Sequence, residues 1–462
     1  MTFNTAATLL SVVIPTYNRK EYLPKALKSV LDQSPEATEV IVVDDGSTDG
    51  TAQVISNFDD TRIKYVYQQN RGEGGARNQG LDLSRGKYVA FLDSDDVWWP
   101  NRVPAHLHAL ETNSAVDLVY GPYFEGDDKL QPQMMTVPPT RLSFEDWLEG
   151  CQFGSFSATF RSSCLNPELR ANEKMPLAPD WDFWLKLFTN GCRAFYHPIP
   201  TGVVRNHIRS QTVNIAGLTE AYQILVESWL NERGVTFPPQ FQRERHYSNA
   251  LFALRRRQME IIVSEIQKAI ASDGSSPKAR ASRATSAVVN LLADPFGPNP
   301  DELSDQLVPQ VARLVGKLPM SLQQIQAQAH LIRARHAFMT DRLTTGWQEL
   351  ASAYTLESTI MNEQWGLFID AAIVIADYKG LDSGEQLLKQ VHQAWPGQGH
   401  KSYRHNLGLY YLNLGLRSHQ QQSSVEAKRY MRRALSNKPT LLFNRGLLST
   451  LLGWSTLRAH LG

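Results

Sequence analysis

Cysteine is scarce in this chain. Its 462 residues hold three, Cys151, Cys164 and Cys192, and no two form a CxxC pair. Such spacings suit neither a disulfide framework nor a zinc site, and read as thiols in a reducing compartment. Net charge is nearly absent too, at +1, which gives no reason to expect nucleic acid as a partner. The N-terminus has no basic stretch leading into a long apolar one, so no signal peptide is expected. No uninterrupted apolar run is long enough to span a bilayer. A cytoplasmic protein is the resulting expectation. The leucine-rich segment Leu441 to Leu461, with Arg445 and Arg458 inside it, reads as a packed terminal helix. Peripheral contact with the inner face of a membrane is the alternative reading of that segment.

What the chain does have is a normal globular balance, 42% hydrophobic and 20% charged, in a length that suits two or three domains. From Leu9 to about Tyr120 short β-branched runs alternate with helix-like stretches. The runs are Ser11–Ile14, Val40–Val43, Ile63–Tyr67, Tyr88–Leu92 and Leu118–Tyr120. Between them lie Glu21–Leu31, with Leu23, Leu27 and Val30 on one face, and Thr51–Phe58. This alternation predicts an α/β fold with a mostly parallel sheet flanked by helices. The strands are continuous apolar runs, as expected when both faces are buried.

Beyond residue 216 strand signals nearly vanish, which predicts one domain over 1–216 and an all-helical domain over 217–462. Within the latter a spacing of four and three recurs: Ala427, Met431, Ala434; Gly384, Leu388, Val391; Gly346, Leu350, Ala353; and Ile262, Ile266, Ala269. Pro439 and Pro396 follow the first two sets. Such spacing places side chains on one helical face, and proline stops the helix. The pattern resembles the second helix of tetratricopeptide repeats, with Leu407, Gly408 and Tyr411 resembling a first helix. An irregular helical-hairpin or bundle domain is the other reading.

In an open α/β sheet, ligands bind beyond the C-terminal ends of the strands, and the unusual polar clusters fall there. The first strand runs into Pro15-Thr16-Tyr17-Asn18-Arg19, where a dinucleotide-binding fold would carry GxGxxG. Its absence argues against a nicotinamide or flavin enzyme, and Tyr17 offers a ring for a base to stack on. The second strand stops in VVDDGSTDGT, where Ser47 or Asp49 suits a helix cap. Capping leaves Asp44 and Asp45 unexplained, and two charges at a buried strand end are costly unless used or paired. A third segment, QNRGEGGARNQGL, has glycines that permit close backbone approach to phosphates or a sugar, and Arg77 offers a charge for a diphosphate. Most specific is YVAFLDSDD, an apolar strand ending in Asp93-Ser94-Asp95-Asp96. Alternating carboxylates there can share one divalent cation, Mn²⁺ or Mg²⁺. Further on, Pro179 and Gly191 bracket a helix with Asp180 in its first turn. His207 could add a third metal ligand.

In this order, SVVIPTYNR, VVDDGSTDGT, NRGEGGARNQG, LDSDD, PDWDFWLKL and HIRSQT resemble the GT-A glycosyltransferases of family 2 over residues 9 to 215. The resemblance implies a GT-A sheet and an inverting transfer of a sugar from a nucleoside diphosphate to the hydroxyl of a carbohydrate, lipid or protein acceptor. It places Asp45 at the nucleotide base with Pro15 and Tyr17, and Asp93, Ser94 and Asp95 at the ribose, diphosphate and metal. Asp180 matches the catalytic base, although the family often has Glu-Asp where this chain has Pro179-Asp180. His207 matches a late histidine near the metal or diphosphate. Trp98, Trp99 and Trp181 are expected to stack on sugar rings or to pack in the core, and Asp182 to be structural or to face the acceptor. A non-catalytic nucleotide-sugar-binding scaffold that docks partners through its helical half is the alternative. A nucleotidyltransferase would place a glycine-rich basic signature where PTYNR stands.

Overall fold

A computed structural model describes residues 8–206, 215–357, 361–394, 400–420 and 424–438. His207, Pro396, Pro439 and the segment 441–461 lie outside these residues. The chain forms two compact units, residues 1–319 and 320–462.

The first unit opens with alternating strand and helix: β1 (Leu10–Thr16), α1 (Leu23–Leu31), β2 (Thr38–Asp44), α2 (Thr51–Ser56), β3 (Ile63–Tyr67), α3 (Gly72–Leu83) and β4 (Tyr88–Phe91). β1, β2 and β4 are buried along their whole lengths, which is why their sequences run apolar without alternation. Pro24 starts α1, and Leu23, Leu27 and Val30 turn inward, as their spacing predicts. The irregular stretch that follows holds β5 (Val97–Trp98), α4 (Arg102–Thr112), β6 (Leu118–Tyr120), β7 (Tyr123–Gly126), β8 (Pro132–Thr136), α5 (Phe144–Glu149), β9 (Ala158–Arg161), α6 (Pro179–Thr189), β10 (Ala194–Tyr196) and β11 (Gly202–Arg205).

Seven strands make the main sheet in the order β10-β6-β9-β4-β1-β2-β3. All neighbours are parallel except at β9, which runs antiparallel between β4 and β6. A second, four-stranded sheet has the order β5-β11-β7-β8. A sheet flanked by helices is the GT-A arrangement expected from the sequence.

Among the described residues helices alone follow: α7 (Ile215–Arg233), α8 (Pro239–Arg255), α9 (Met259–Ser272), α10 (Pro277–Ala293) and α11 (Pro300–Val315). The change from strand to helix thus falls where composition changes, at about residue 216. The hydrophobic core does not stop there. Ala221, Tyr222, Leu225, Trp229 and Phe241 pack in the same cluster as Trp147, Trp181 and Trp184.

The second unit contains α12 (Leu322–Met339), α13 (Leu343–Leu356), α14 (Met361–Lys379), α15 (Leu381–Ala394), α16 (His400–Gln420) and α17 (Ser424–Asn437). They pack as pairs, α12 with α13, α14 with α15 and α16 with α17, and α14 touches both α12 and α16. Each four-three set in this unit is buried on the second helix of its pair. The small residue at its head permits the contact. A Cβ on Gly384 would stand 2.3 Å from the Ala372 carbonyl and 2.6 Å from the Tyr410 hydroxyl. Ile262, Ile266 and Ala269 are buried on α9, which packs on α8 in the first unit.

The glycine-rich segment is itself a helix, α3, and its glycines serve packing as well as any ligand. A Cβ on Gly80 would lie 2.2 Å from Val13 Cγ1 in buried β1. Val13 is β-branched and has no room to turn. Gly80→Ala is therefore expected to destabilise the protein by about 1–3 kcal/mol, overpacking outweighing the gain in helix propensity. Chemical denaturation of the purified chain measures this.

Candidate active site

A cleft of about 650 Å³ opens where the turns after β1, β2 and β4 meet the start of α6. Pro15, Tyr17, Asp45, Arg77, Asp93, Ser94, Asp95, Asp180 and Trp181 all line it.

The turns after β1 and β2 are stitched together. Asn18 N donates to Ser47 Oγ (2.8 Å), Thr48 N to Asn18 Oδ1 (2.9 Å) and Lys20 N to Asp49 Oδ2 (3.1 Å). Of the two expected caps, Asp49 accepts the amide and hydroxyl of Thr51 at the head of α2, while Ser47 serves the neighbouring turn. The adjacent carboxylates part company. Asp44 is consumed by the fold, accepting from Ser47 N (2.8 Å) and from the Tyr65 hydroxyl (2.7 Å). Asp45 faces the cleft; its Oδ1 accepts from Gln68 Nε2 (2.6 Å) and Arg71 N (2.8 Å), which fixes the carboxylate in place. Tyr17 is 48% exposed, so its ring is open to a ligand.

The strand end at Asp93–Asp96 carries three carboxylates held in different ways. Asp93 accepts from Arg77 Nη2 (2.7 Å) and Ser155 Oγ (3.2 Å). Asp95 meets Arg19 Nε at 3.3 Å. Asp96 is buried and accepts from the backbone N–H of Arg205 on β11 (2.9 Å); burial, with Asp95 and Asp93 beside it, pushes its carboxyl well up. Arg77, with a side chain only 3% exposed, pairs with Glu73 at 2.5 Å as well as with Asp93. Expected at a diphosphate, its guanidinium is largely committed to these carboxylates. Its Nε and Nη1 are buried with no hydrogen-bond partner among the described residues.

Asp180 enters from the other side. Ala178 adopts a left-handed conformation (φ 52°) and Pro179 starts α6, which turns Asp180 into the cleft. Trp181 N donates to its Oδ1 (3.0 Å). Burial pushes the carboxyl up, Arg77 opposes this, and Asp93 adds to it.

Of the residues read as either acceptor-facing or structural, Trp98 and Asp182 do not line the cleft and take the packing alternative. Trp98 is buried, stacked under the Arg102 guanidinium at 3.9 Å, and its indole N–H donates to the Phe156 carbonyl. Asp182 is 1% exposed, paired with Lys186 (2.6 Å) and accepting from the Trp229 indole N–H (2.9 Å). Two residues after Asp180, it points to the opposite side of the helix, about 200° around, and ties α6 to α7. Trp99 packs on Phe124. Trp181 lines the cleft, but is nearly buried and donates to the Trp147 carbonyl. His207 lies outside the described residues.

Several cleft residues escaped the sequence reading. Glu73 was legible as the one carboxylate of the glycine-rich segment; burial pushes it up to about 7. Ser155 gave no signal beyond its polarity, and Arg19 stood at the end of the PTYNR segment without a role of its own. Tyr222 on α7 and Leu251, Phe252 and Arg255 on α8 also line the cleft.

Comparison with known proteins adds the family. The model for "Glycosyl transferase family 2" matches residues 11–165. TuaG of Bacillus subtilis, named as a candidate teichuronic acid biosynthesis glycosyltransferase, is 33% identical over 193 residues, 40% of this chain and 75% of that protein. The chain belongs to glycosyl transferase family 2. An uncharacterised glycosyltransferase of Nostoc sp. is 34% identical over 198 residues, 42% of this chain and 61% of the Nostoc protein. The match therefore spans less than two thirds of that relative. WfaP of Escherichia coli, a UDP-Glc:α-D-GlcNAc-diphosphoundecaprenol β-1,3-glucosyltransferase, is 29% identical over 208 residues, 45% of this chain and 80% of WfaP. In this family 2 chain the matched segment contains Asp45, Asp93 and Asp95 and ends before Asp180.

The geometry separates Asp182 from its neighbour Asp180. Asp182→Ala removes a buried ion pair and an indole hydrogen bond and is expected to cost about 3 kcal/mol of stability. Denaturant melts should show this loss, while donor affinity of the folded fraction stays at the wild-type value.

Proposed function

We propose that this chain transfers a sugar from a nucleoside-diphosphate sugar to an acceptor hydroxyl, in a single displacement that inverts the anomeric carbon. The observation that carries this reading is that one cleft gathers Asp45, the pair Asp93 and Asp95, and Asp180 from three separate parts of the chain. The relatives TuaG and WfaP, named for teichuronic acid and for a diphosphoundecaprenol-linked sugar, favour a carbohydrate acceptor.

Asp45 accepts an N–H from the nucleotide base while Tyr17 lies against its ring. Asp93 and Asp95 present hard oxygen donors of the kind Mg²⁺ or Mn²⁺ takes, one or two carboxylates with substrate phosphates completing the shell. When bound, such a cation offsets the negative charge that grows on the departing nucleoside diphosphate. Arg77 steadies Asp93 and supplies positive charge beneath the same region. Asp180 takes the proton from the acceptor hydroxyl as that oxygen attacks the anomeric carbon.

General-base help of this kind is worth about 10²–10⁴-fold in rate. Asp180→Asn is expected to lower transfer by at least that factor while nucleotide binding persists; normal transfer would remove Asp180 from the role. A base works when deprotonated, so activity is present above the Asp180 pKa and lost as pH falls through it. Because burial raises that pKa, the acid limb of the kcat/KM profile should lie above the usual carboxylate value of 3.8.

The metal role has its own test. Asp95→Ala should weaken Mn²⁺-dependent binding of a nucleotide sugar, read by calorimetry. Transfer that is unchanged in excess EDTA would sink it.

A further inference from the structure

The helices that follow the strands supply part of the same cleft, and one of their side chains has chemistry to spare. Tyr222 on α7 is 9% exposed, and its ring is held edge-on against Trp181, with centroids 5.4 Å apart, and against Phe241 at 6.2 Å. Trp181 is the residue after Asp180, so this packing fixes Tyr222 close to the proposed base. Its hydroxyl has no hydrogen-bond partner among the described residues, although the residue lines the cleft. Unlike the Tyr247 hydroxyl, it is not sealed away as a buried unpartnered atom, so it stands open to the cleft. Next to it, Leu251 and Phe252 of α8 stand half-buried on the cleft wall. The end of α8 is anchored where it must be for this. Arg255 pairs with Asp294 (2.8 Å) and with Glu125 of β7 (3.1 Å), and donates to Asn206 Oδ1 (3.1 Å).

The donor-side groups Pro15, Tyr17, Asp45, Asp93 and Asp95 all come from the ends of β1, β2 and β4. Tyr222, Leu251 and Phe252 come instead from helices packed around α6, the helix of Asp180. A base must lie beside the hydroxyl that it deprotonates, so the wall around it belongs to the acceptor.

We infer that Tyr222 is an acceptor-binding residue, its hydroxyl bonding an acceptor sugar beside the attacking oxygen, while Leu251 and Phe252 take the apolar group attached to that sugar. This rests on the reading of Asp180 as base. It makes α7 and α8, which lie beyond the expected 1–216 domain, part of the catalytic unit.

The test reads binding alone, so that it fails separately from the proposed chemistry. Octyl N-acetyl-α-glucosaminide, a sugar with an apolar tail, is titrated onto the full chain and followed by saturation-transfer NMR and calorimetry. Wild type should bind it with transfer to both ring and tail protons. Tyr222→Phe keeps the packed ring and loses only the hydroxyl, and should weaken binding about tenfold. Phe252→Ala should weaken it by a similar factor and reduce transfer to the tail. Asp180→Asn should leave binding near the wild-type value while removing turnover. No binding by wild type, or equal binding by wild type and Tyr222→Phe, would overturn the inference, whatever the turnover of the Asp180 variant. If either variant melts well below wild type, the other still decides the matter.

Discussion

The acidic cleft depends on one buried cation. Arg77 sits among Glu73, Asp93 and Asp180, and its attraction opposes the cost of burying the first and last of these carboxylates. Charges brought together away from water repel strongly, and the usual escape is to take up protons. Arg77 limits that escape without abolishing it: Glu73 is still pushed up to about 7. The same guanidinium, with Ser155, fixes the direction of Asp93. It therefore sets both the charge state and the geometry of the region where a nucleoside diphosphate would lie.

Two other couplings keep the cleft in shape. Asp182, turned inward from α6, holds α7 through Trp229, so the helix that aims Asp180 is braced from behind. Arg255 holds the end of α8 to β7 and to the end of α10. Neither residue needs to touch a substrate to matter to one.

Much of this was legible before any coordinates. Buried strands announce themselves by β-branched runs, and carboxylates at their ends are conspicuous because burial there is costly; the pair Asp44-Asp45 and the run Asp93–Asp96 follow from that, while singling out Asp45, Asp93 and Asp95 rests on the family resemblance. Pro179 and Gly191 likewise marked the limits of α6. What stayed hidden depends on contacts between distant parts of the chain. Gly80 looks like a ligand-approach glycine until Val13 is seen beneath it. Trp98 and Asp182 lie in motifs rich in chemistry, but their direction is decided by Arg102 and by Trp229, which no local pattern links to them. Tyr222 and Phe252 lie in ordinary amphipathic helices, and only packing against α6 brings them to Asp180. The four-three spacing succeeded as a rule about faces, because small residues at close helix contacts obey local geometry.

The stitching of the first two turns has a consequence for how such a pocket can change. Asn18 holds Ser47 and Thr48, and Asp49 holds the backbone at Lys20, so each turn is the other's mould. A graft that imports one turn alone leaves its partner without a matching template. Reshaping this end of the cleft therefore calls for a paired exchange of two segments about thirty residues apart in sequence.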